Sequence, residues 1–514
     1  MRLLKYFFLL SVWTSETILA QSYQMPEEFT FSFLTSKQLA VRQTTLHPGI
    51  QPYIPFFSKD YLHKGDSTKV FKYITDDPVL DAVFKSYPVS VEDKKEGLRL
   101  NISPLLMLDA STDLAAATYS RYITNTRGAF ANGTIGEKFY FETVFAENQA
   151  TFPSYLASQV NTNSVVPGQG RWKQFKTSGY DYAWVGGVIS MQPSKRLNIQ
   201  MGHGKQKVGN GYRSLLLSDN ALNYPFIRFT HQYWKGRIQY SHIFAQLSNL
   251  TAASQHRSLK IERLFQRKAA AFQYLSINWS KWLNTSFFQA MVAQPGDSYN
   301  RQHIPIGFFN PLPFGGRLQF GLNDARVNVI TGVDFLLKLS NQFQLYGQYM
   351  ADYYHPSDFS ISHIGFQCGM KYFQAFGWRP LTLQVEYNSV NYGSYRNTKG
   401  AVGLNDYTHN NEALASTAAP GKELIVIGNY SAHRVVAHMQ YHYRVMAGPL
   451  KSAGDVNLAQ IRIGYVINPA YNLQVCGGYL YRNQNLFNFN PSVTETGWFY
   501  LSVRTSLYNT YYDF

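Results

Sequence analysis

From about residue 98 onward the chain alternates apolar and polar side chains with a period of two. Between Arg434 and Val445 the odd positions are Val435, Ala437, Met439, Tyr441, Tyr443 and Val445. The even positions are Arg434, Val436, His438, Gln440, His442 and Arg444. That period sends every second side chain to the same face of a β-strand, so one face suits hydrocarbon and the other suits water. Leu383/Val385/Tyr387 against Gln384/Glu386/Asn388 repeats the pattern, as does Ile461/Ile463/Tyr465 against Gln460/Arg462/Gly464. Strands are expected near 98–109, 127–132, 135–147, 180–192, 195–203, 225–233, 236–247, 269–279, 282–292, 328–338, 342–353, 362–375, 380–392, 422–432, 434–446, 456–467, 470–481 and 496–508. The count is about 18, within a range of roughly 16–18 and even, as in bacterial barrels.

The connections alternate in length. Short ones fall at Asn132-Gly133-Thr134, Pro193-Ser194, Lys235, Ser280-Lys281, Ser340-Asn341, Gly377-Trp378-Arg379, His433 and Asn468-Pro469. Long ones cover 148–179, 204–224, 248–268, 293–327, 393–421 and 482–495. Outer-membrane barrels have short periplasmic turns and long external loops, and in lipid only a closed sheet pairs all its backbone groups. The predicted fold class is all-β, a transmembrane antiparallel β-barrel over residues 96–514.

The chain's two ends differ from this pattern. Residues 1–20 read as a signal peptide, with Arg2 and Lys5 before the apolar run Tyr6–Trp13 and a small residue, Ala20, before Gln21. Residues 21–95 alternate less and are expected to form a periplasmic or plug segment. Within it, Asp77–Ser86 reads as a short amphipathic helix and His47–Tyr53 as a turn-rich loop. Phe514 offers the terminal aromatic often found on a last barrel strand, but its even number opposes the odd parity of Phe499, Leu501 and Val503.

Composition narrows the class. Charged residues make up 15%, aromatic residues 16% and hydrophobic residues 45% of the 514. A disordered chain would carry more charge and fewer aromatics. No apolar run after the N-terminus approaches the ~18 residues of a spanning helix. Removing Arg2, Lys5 and Glu16 with the signal leaves a net charge of +15. That balance suits an anionic partner such as lipid or an acidic polysaccharide; nucleic acid is excluded by export and by the lack of a basic helix. Parity puts Cys368 on the lipid face and Cys476 on the lumen face, so both should be free thiols.

Beyond the periodicity, the segment IQMGHGKQKVGNGYRSLLLSDNALNYPF (199–226) resembles a family of Bacteroidota outer-membrane barrels that includes the gliding-motility protein RemB and proteins related to the capsule-assembly protein Wzi. NTRGAFANGTIGEKFYFETVFAENQATFPSY (125–155), VVPGQG (165–170), GYDYAWVGG (179–187), FFNPLPF (308–314), LYGQY (345–349), GMKYF (369–373), LQVEYN (383–388) and DYTHNNEALASTAAPGKEL (406–424) extend the likeness in order. The sequence departs from it at Lys205-Gln206-Lys207, where the family carries more aromatic character. The resemblance implies a Wzi-like barrel in a Gram-negative outer membrane, closed on the periplasmic side by N-terminal elements. It further implies a role in holding surface polysaccharide or in gliding, whose machinery shares parts with type 9 secretion. A scaffold subunit of such a complex, a porin for anionic solutes and an envelope hydrolase are the other readings.

The candidate ligand contacts are in a loop and on the lumen face. Tyr212, Arg213, Asp219 and Asn220 belong to the 204–224 loop, where Leu215–Leu217 should fold inward away from water. Arg213 and Asp219 could pair there. His409 and Glu412 lie close in sequence, as an acid/base or metal pair or as a hydrogen-bonded polar loop. Arg434, Arg444, Arg462, Arg504 and Lys371 face the lumen opposite Glu386, Asp334 and Asp352, either to attract anions or to pair across the interior. Arg257, Lys260, Arg263, Arg267 and Lys268 could meet lipopolysaccharide phosphates outside. There is no nucleophile–base pattern, metal-ligand spacing or nucleotide loop, so no catalytic residue, metal or cofactor is expected.

Overall fold

The computed structural model describes residues 46–54, 78–116, 120–252, 265–293, 305–311, 327–352, 363–396, 404–415, 420–449, 452–487, 493–505 and 509–514, together with Lys37. The expected signal segment, and Arg257, Lys260 and Arg263, lie outside them.

Eighteen antiparallel strands close into one barrel. They are β1 (Leu98–Asp113), β2 (Arg121–Ile135), β3 (Phe139–Ala150), β4 (Gly179–Ser194), β5 (Leu197–Gly204) and β6 (Tyr224–Tyr233). Next come β7 (Ile238–Ala252), β8 (Phe265–Asn278), β9 (Leu283–Ala293), β10 (Val327–Lys338), β11 (Phe343–Asp352) and β12 (His363–Phe373). The last six are β13 (Leu381–Val390), β14 (Gly421–Ala432), β15 (Val435–Ala447), β16 (Ser452–Asn468), β17 (Leu473–Leu486) and β18 (Val493–Thr505). The cylinder closes where β18 pairs with β1, Leu501 opposite Ala110.

The alternation read from the sequence is the alternation of the wall. Ile123, Ile189, Met201, Ile463 and Leu501 stand more than half exposed on the outside. Inside, polar side chains bond across strands: Asn101 Nδ2 to Asn132 Oδ1 at 3.2 Å, Thr126 Oγ1 to Asn148 Oδ1 at 2.7 Å, and Gln367 Nε2 to Asn388 Oδ1 at 2.9 Å. Such pairs satisfy groups that hydrocarbon would leave costly and unbonded. Both cysteines are free, Cys368 exposed and Cys476 buried, as parity requires.

Several boundaries differ from expectation, three of them at residues singled out above. Asn132-Gly133-Thr134 is not a turn: β2 runs through it, pairing with Glu142, Phe141 and Tyr140. The chain reverses at Gly136, whose φ of +58° suits glycine. Lys268 is not in an outer loop; it lies on β8, fully buried, and its Nζ donates to Asp406 O at 2.9 Å and Thr408 Oγ1 at 3.0 Å. β18 ends at Thr505, and residues 509–514 leave the wall for the interior. The even parity of Phe514 is thereby explained, since it is not on a strand.

The described parts of the N-terminal region sit at the short-turn end. Helix α1 (Pro78–Phe84) is tied there by Asn468 Nδ2, which donates to Ala82 O and Ser86 O at 2.9 Å each. Residues 46–54 enter the barrel. His47 contacts Ser276 Oγ and Gly236 O, both at 2.8 Å, and burial lowers its pKa to about 4, against the backbone bond that would raise it. A second helix, α2 (Ser154–Asn163), caps the long-loop end.

One long loop also covers the outside. Phe308, from residues 305–311, is fully buried against Ala269, Ala271, Met291, Ala293 and Val327. These are outward positions, because their neighbours Ala270, Phe272, Val292 and Ile330 pack in the lumen. Beneath this strap, His242, Gln273, Gln289 and Thr331 form one continuous polar row across β7–β10. Gln273 Nε2 donates to Asn310 O. The strap thus supplies a polar contact where lipid would supply none.

Candidate functional site

Three segments distant in sequence meet inside the barrel. They are residues 46–54, the 205–223 loop and residues 509–514. Ile50–Gln51 pairs antiparallel with Lys207–Val208, which joins the first to the second. Gly209 N adds a bond to Gly49 O at 2.9 Å.

Leu215, Leu216 and Leu217 drive the loop inward. All three are completely buried in the largest lumenal cluster, with Ile50, Phe272, Ile330 and Tyr407. Burying a leucine is worth ~1.5–3 kcal/mol, which favours a folded-in loop over one in water. The wall is shaped for it: a Cβ on Gly332 of β10 would come 2.2 Å from Leu216 Cδ2.

The loop's backbone is then held by polar side chains of the wall. Glu386 of β13 accepts the N–H of Tyr212 at 2.7 Å and of Arg213 at 3.0 Å, and the Tyr346 hydroxyl at 2.8 Å. Gln348 accepts from Leu215 N at 2.8 Å and donates to Val208 O at 3.0 Å. Asp334 accepts from Asn210 Nδ2 at 3.1 Å. Tyr395 and Tyr407 each donate to a leucine carbonyl of the loop at 2.8 Å.

Arg213 does not pair with Asp219. Its guanidinium grips Glu423 of β14 through two bonds, at 3.1 and 2.9 Å, and reaches Asp513 Oδ1 at 3.2 Å. Arg444 of β15 shares Glu423 at 2.9 Å, and His442 lies 3.3 Å from Glu423 and 3.5 Å from Asp513. Tyr212 donates its hydroxyl to Asp513. Burial would raise the Asp513 carboxyl, but Arg213 and His442 hold it below its ordinary value. Asp219 instead accepts from Tyr511 Oη at 2.8 Å and Asn509 Nδ2 at 3.1 Å, with Lys207 Nζ 3.9 Å away. Burial opposes its charge, and Lys207 and Lys205 restore it, so its pKa too is lowered. The two residues diverge because each meets a different part of the 509–514 tail.

The other expected contacts separate. Asn220 donates to Ala413 O at 3.3 Å. Arg434 sits at the short-turn mouth, where it donates to Ile467 O at 2.7 Å and Phe84 O at 3.3 Å. Arg462 and Arg504 face a cavity described below. His409 and Glu412 pair across a small hairpin, yet each bonds elsewhere. His409 Nδ1 accepts from Ser248 N at 3.1 Å, and Nε2 faces Asn223 O at 3.2 Å. Glu412 accepts from Gly168 N at 2.6 Å and Leu222 N at 2.8 Å. Burial, with help from the Lys268 charge, lowers His409 to about 3, and burial raises Glu412 to about 7. They stitch loops together. Among the described residues no cluster of three metal-ligating side chains occurs.

Glu423, His442, Asp513 and Tyr511 were not among the expected contacts. The inward parity of Glu423 and His442 was readable, but nothing local marks the tail as their partner.

Beside the tail, on the side of β1–β4 and β15–β18, a cavity of about 140 Å³ remains. Trp184, Arg462, Trp498, Tyr500, Arg504 and Tyr512 are among its lining residues. A closed, internally plugged β-barrel with an apolar outer face is the architecture of outer-membrane barrels. Among solved structures, the chain is similar to Wzi, an outer-membrane carbohydrate-binding β-barrel involved in group 1 capsule assembly in Escherichia coli. The two share 12% identity at a TM-score of 0.52, over 94% of this chain and 99% of that one. It is also similar to OccAB2 of Acinetobacter baumannii, at 11% identity and a TM-score of 0.46, over 79% and 97% of the chains. The vanillate complex of Pseudomonas aeruginosa OpdK gives 9% and 0.45, over 79% and 98%. At such identities the shared property is the fold. No family model matches the chain, and no curated protein matches its sequence.

Proposed function

We propose that this protein is a non-enzymatic barrel of the outer membrane, exported by its N-terminal signal, that organises surface polysaccharide. The observation that carries the reading is the filled lumen. Residues 46–54, 205–223 and 509–514 interlock there, and Arg213, Glu423, Asp513 and Arg444 neutralise one another. A wide solute channel would leave that space to water. The likeness to the capsule-assembly barrel of Escherichia coli supports the polysaccharide role by analogy of fold.

In this reading lipid and lipopolysaccharide surround the wall, and acidic polysaccharide is the partner. The gliding or type 9 secretion role implied by the sequence resemblance is the finer alternative. Deleting the gene and scoring capsule retention, surface spreading and protein secretion tests both. Loss of retained capsule supports the proposal; a spreading or secretion defect with normal capsule replaces it with the scaffold role. Planar-bilayer conductance tests the porin reading, for which large steady currents from the intact chain are required.

A further inference from the structure

The cavity beside the tail combines open space, aromatic faces and charge. Here three aromatic rings meet: Trp498 and Tyr500 with centroids 5.8 Å apart, and Trp498 and Tyr512 at 6.0 Å. Glycine makes part of the room. A Cβ on Gly478 would come 2.3 Å from the Tyr500 ring, so only glycine lets that ring lie across β17.

Lys205, Arg462 and Arg504 line the cavity together with Asp109 and Asp513. Asp513 is already engaged by Arg213, and Asp109 accepts from Ser502. Arg504 stands 5.7 Å over the Tyr500 ring. Lys205 Nζ in turn donates to Asp219 O at 3.0 Å and the Arg504 charge acts on Asp109, so the lining carries three cations against two carboxylates, set beside flat apolar faces.

Among the buried polar atoms of this lining without a hydrogen-bond partner among the described residues are the Trp498 indole N–H and the Asn509 side-chain carbonyl. Both residues are more than nine-tenths buried, at 7% and 9% exposure. A buried donor or acceptor left unbonded is costly, and the residues that carry these two border the open space of the cavity. A donor, an acceptor, guanidinium forks and aromatic faces together match one kind of molecule. A pyranose ring offers hydroxyls to the first two and an apolar C–H face to the rings. A ring carboxylate fits the arginine fork. The volume, about 140 Å³, is roughly ten times the ~10–15 Å³ that one enclosed water needs and holds a single sugar ring.

We propose that this cavity binds one carboxylated pyranose unit, an inference that rests on the polysaccharide reading above and gives it a site inside the barrel. The test is calorimetric titration of the full chain in detergent micelles with glucuronate, glucose and acetate. Glucuronate should bind at least tenfold more tightly than either of the others. Arg462→Gln with Arg504→Gln should weaken it at least tenfold, and Trp498→Phe, which keeps the ring but removes the N–H, should weaken it several-fold. Should the double variant fail to fold, Arg462→Lys keeps the charge, loses the fork and should still weaken glucuronate. Glucuronate binding no tighter than acetate, or unchanged in these variants, overturns the proposal. Binding of an acidic polymer that survives them leaves the polysaccharide reading standing and removes this site. Binding of glucuronate without binding of any polymer does the reverse.

Discussion

Arg213 holds Glu423 by two parallel bonds, Nε to Oε2 at 3.1 Å and Nη2 to Oε1 at 2.9 Å. The pair fastens a loop to a wall strand 210 positions away in sequence. Both side chains are almost wholly buried, so neither charge can fall back on water. Removing one partner of an isolated buried pair typically costs ~3–5 kcal/mol; here Arg444 stays on Glu423 and Asp513 stays on Arg213, so the lower end of that range applies. Arg213→Ala or Glu423→Ala should therefore lower stability by about that amount in denaturant titration. Arg213→Met combined with Glu423→Leu should cost clearly less than the sum of the two single losses. A double loss equal to that sum would mean the pair is not the fastening.

The tail is the piece whose removal should open the lumen. Tyr511, Tyr512, Asp513 and Phe514 contact the 205–223 loop, α2 and the wall. A chain lacking residues 509–514 is expected to insert and to pass more ion current than the intact chain in planar bilayers. An unchanged current would show that the loop alone closes the barrel.

Leu216 and Gly332 fit as wedge and notch. Leu216→Ala should cost ~2–5 kcal/mol by leaving a cavity. Gly332→Val should destabilise as well, because its side chain would occupy the space of Leu216 Cδ2. Thermal unfolding of the two variants measures both effects. Tolerance of valine would mean that the loop does not dock as described.

His409 and Glu412 give the outer loops opposite pH responses. The folded pKa of His409, about 3, lies below the unfolded value of ~6.5. The unfolded state thus binds more protons between these values, and stability falls as pH drops through that window. Glu412, at about 7, lies above its unfolded value of ~4.3. The folded state binds more protons there, so its contribution rises as pH falls from about 7. Between pH 7 and pH 5 the two oppose each other. Hydrogen exchange of residues 404–415 should vary little with pH in the intact chain, apart from its intrinsic chemistry. Glu412→Gln should make the loop loosen on acidification, and His409→Gln should make it tighten. Identical pH profiles in the two variants would refute this account.

The sequence by itself determined the barrel. Which residues face lipid and which face the lumen is written in local alternation, because each strand position is fixed by its immediate neighbours and by the two solvents on either side. Strand number and the free cysteines followed from that rule, and the inward fold of Leu215–Leu217 from the cost of leaving three leucines in water. Only the tertiary structure decided what fills the lumen. The wall and its plug are both polar inside, so parity cannot say whether Arg213 meets Asp219, six positions along the chain, or Glu423 and Asp513 far from it. It cannot show a loop such as 305–311 returning to the outer wall, nor a tail turning inward after Thr505. Those outcomes depend on burial and charge pairing among segments that adjoin only once the cylinder has closed. For that reason the cavity lined by Trp498, Arg462 and Arg504 could not be read from any one stretch of the chain.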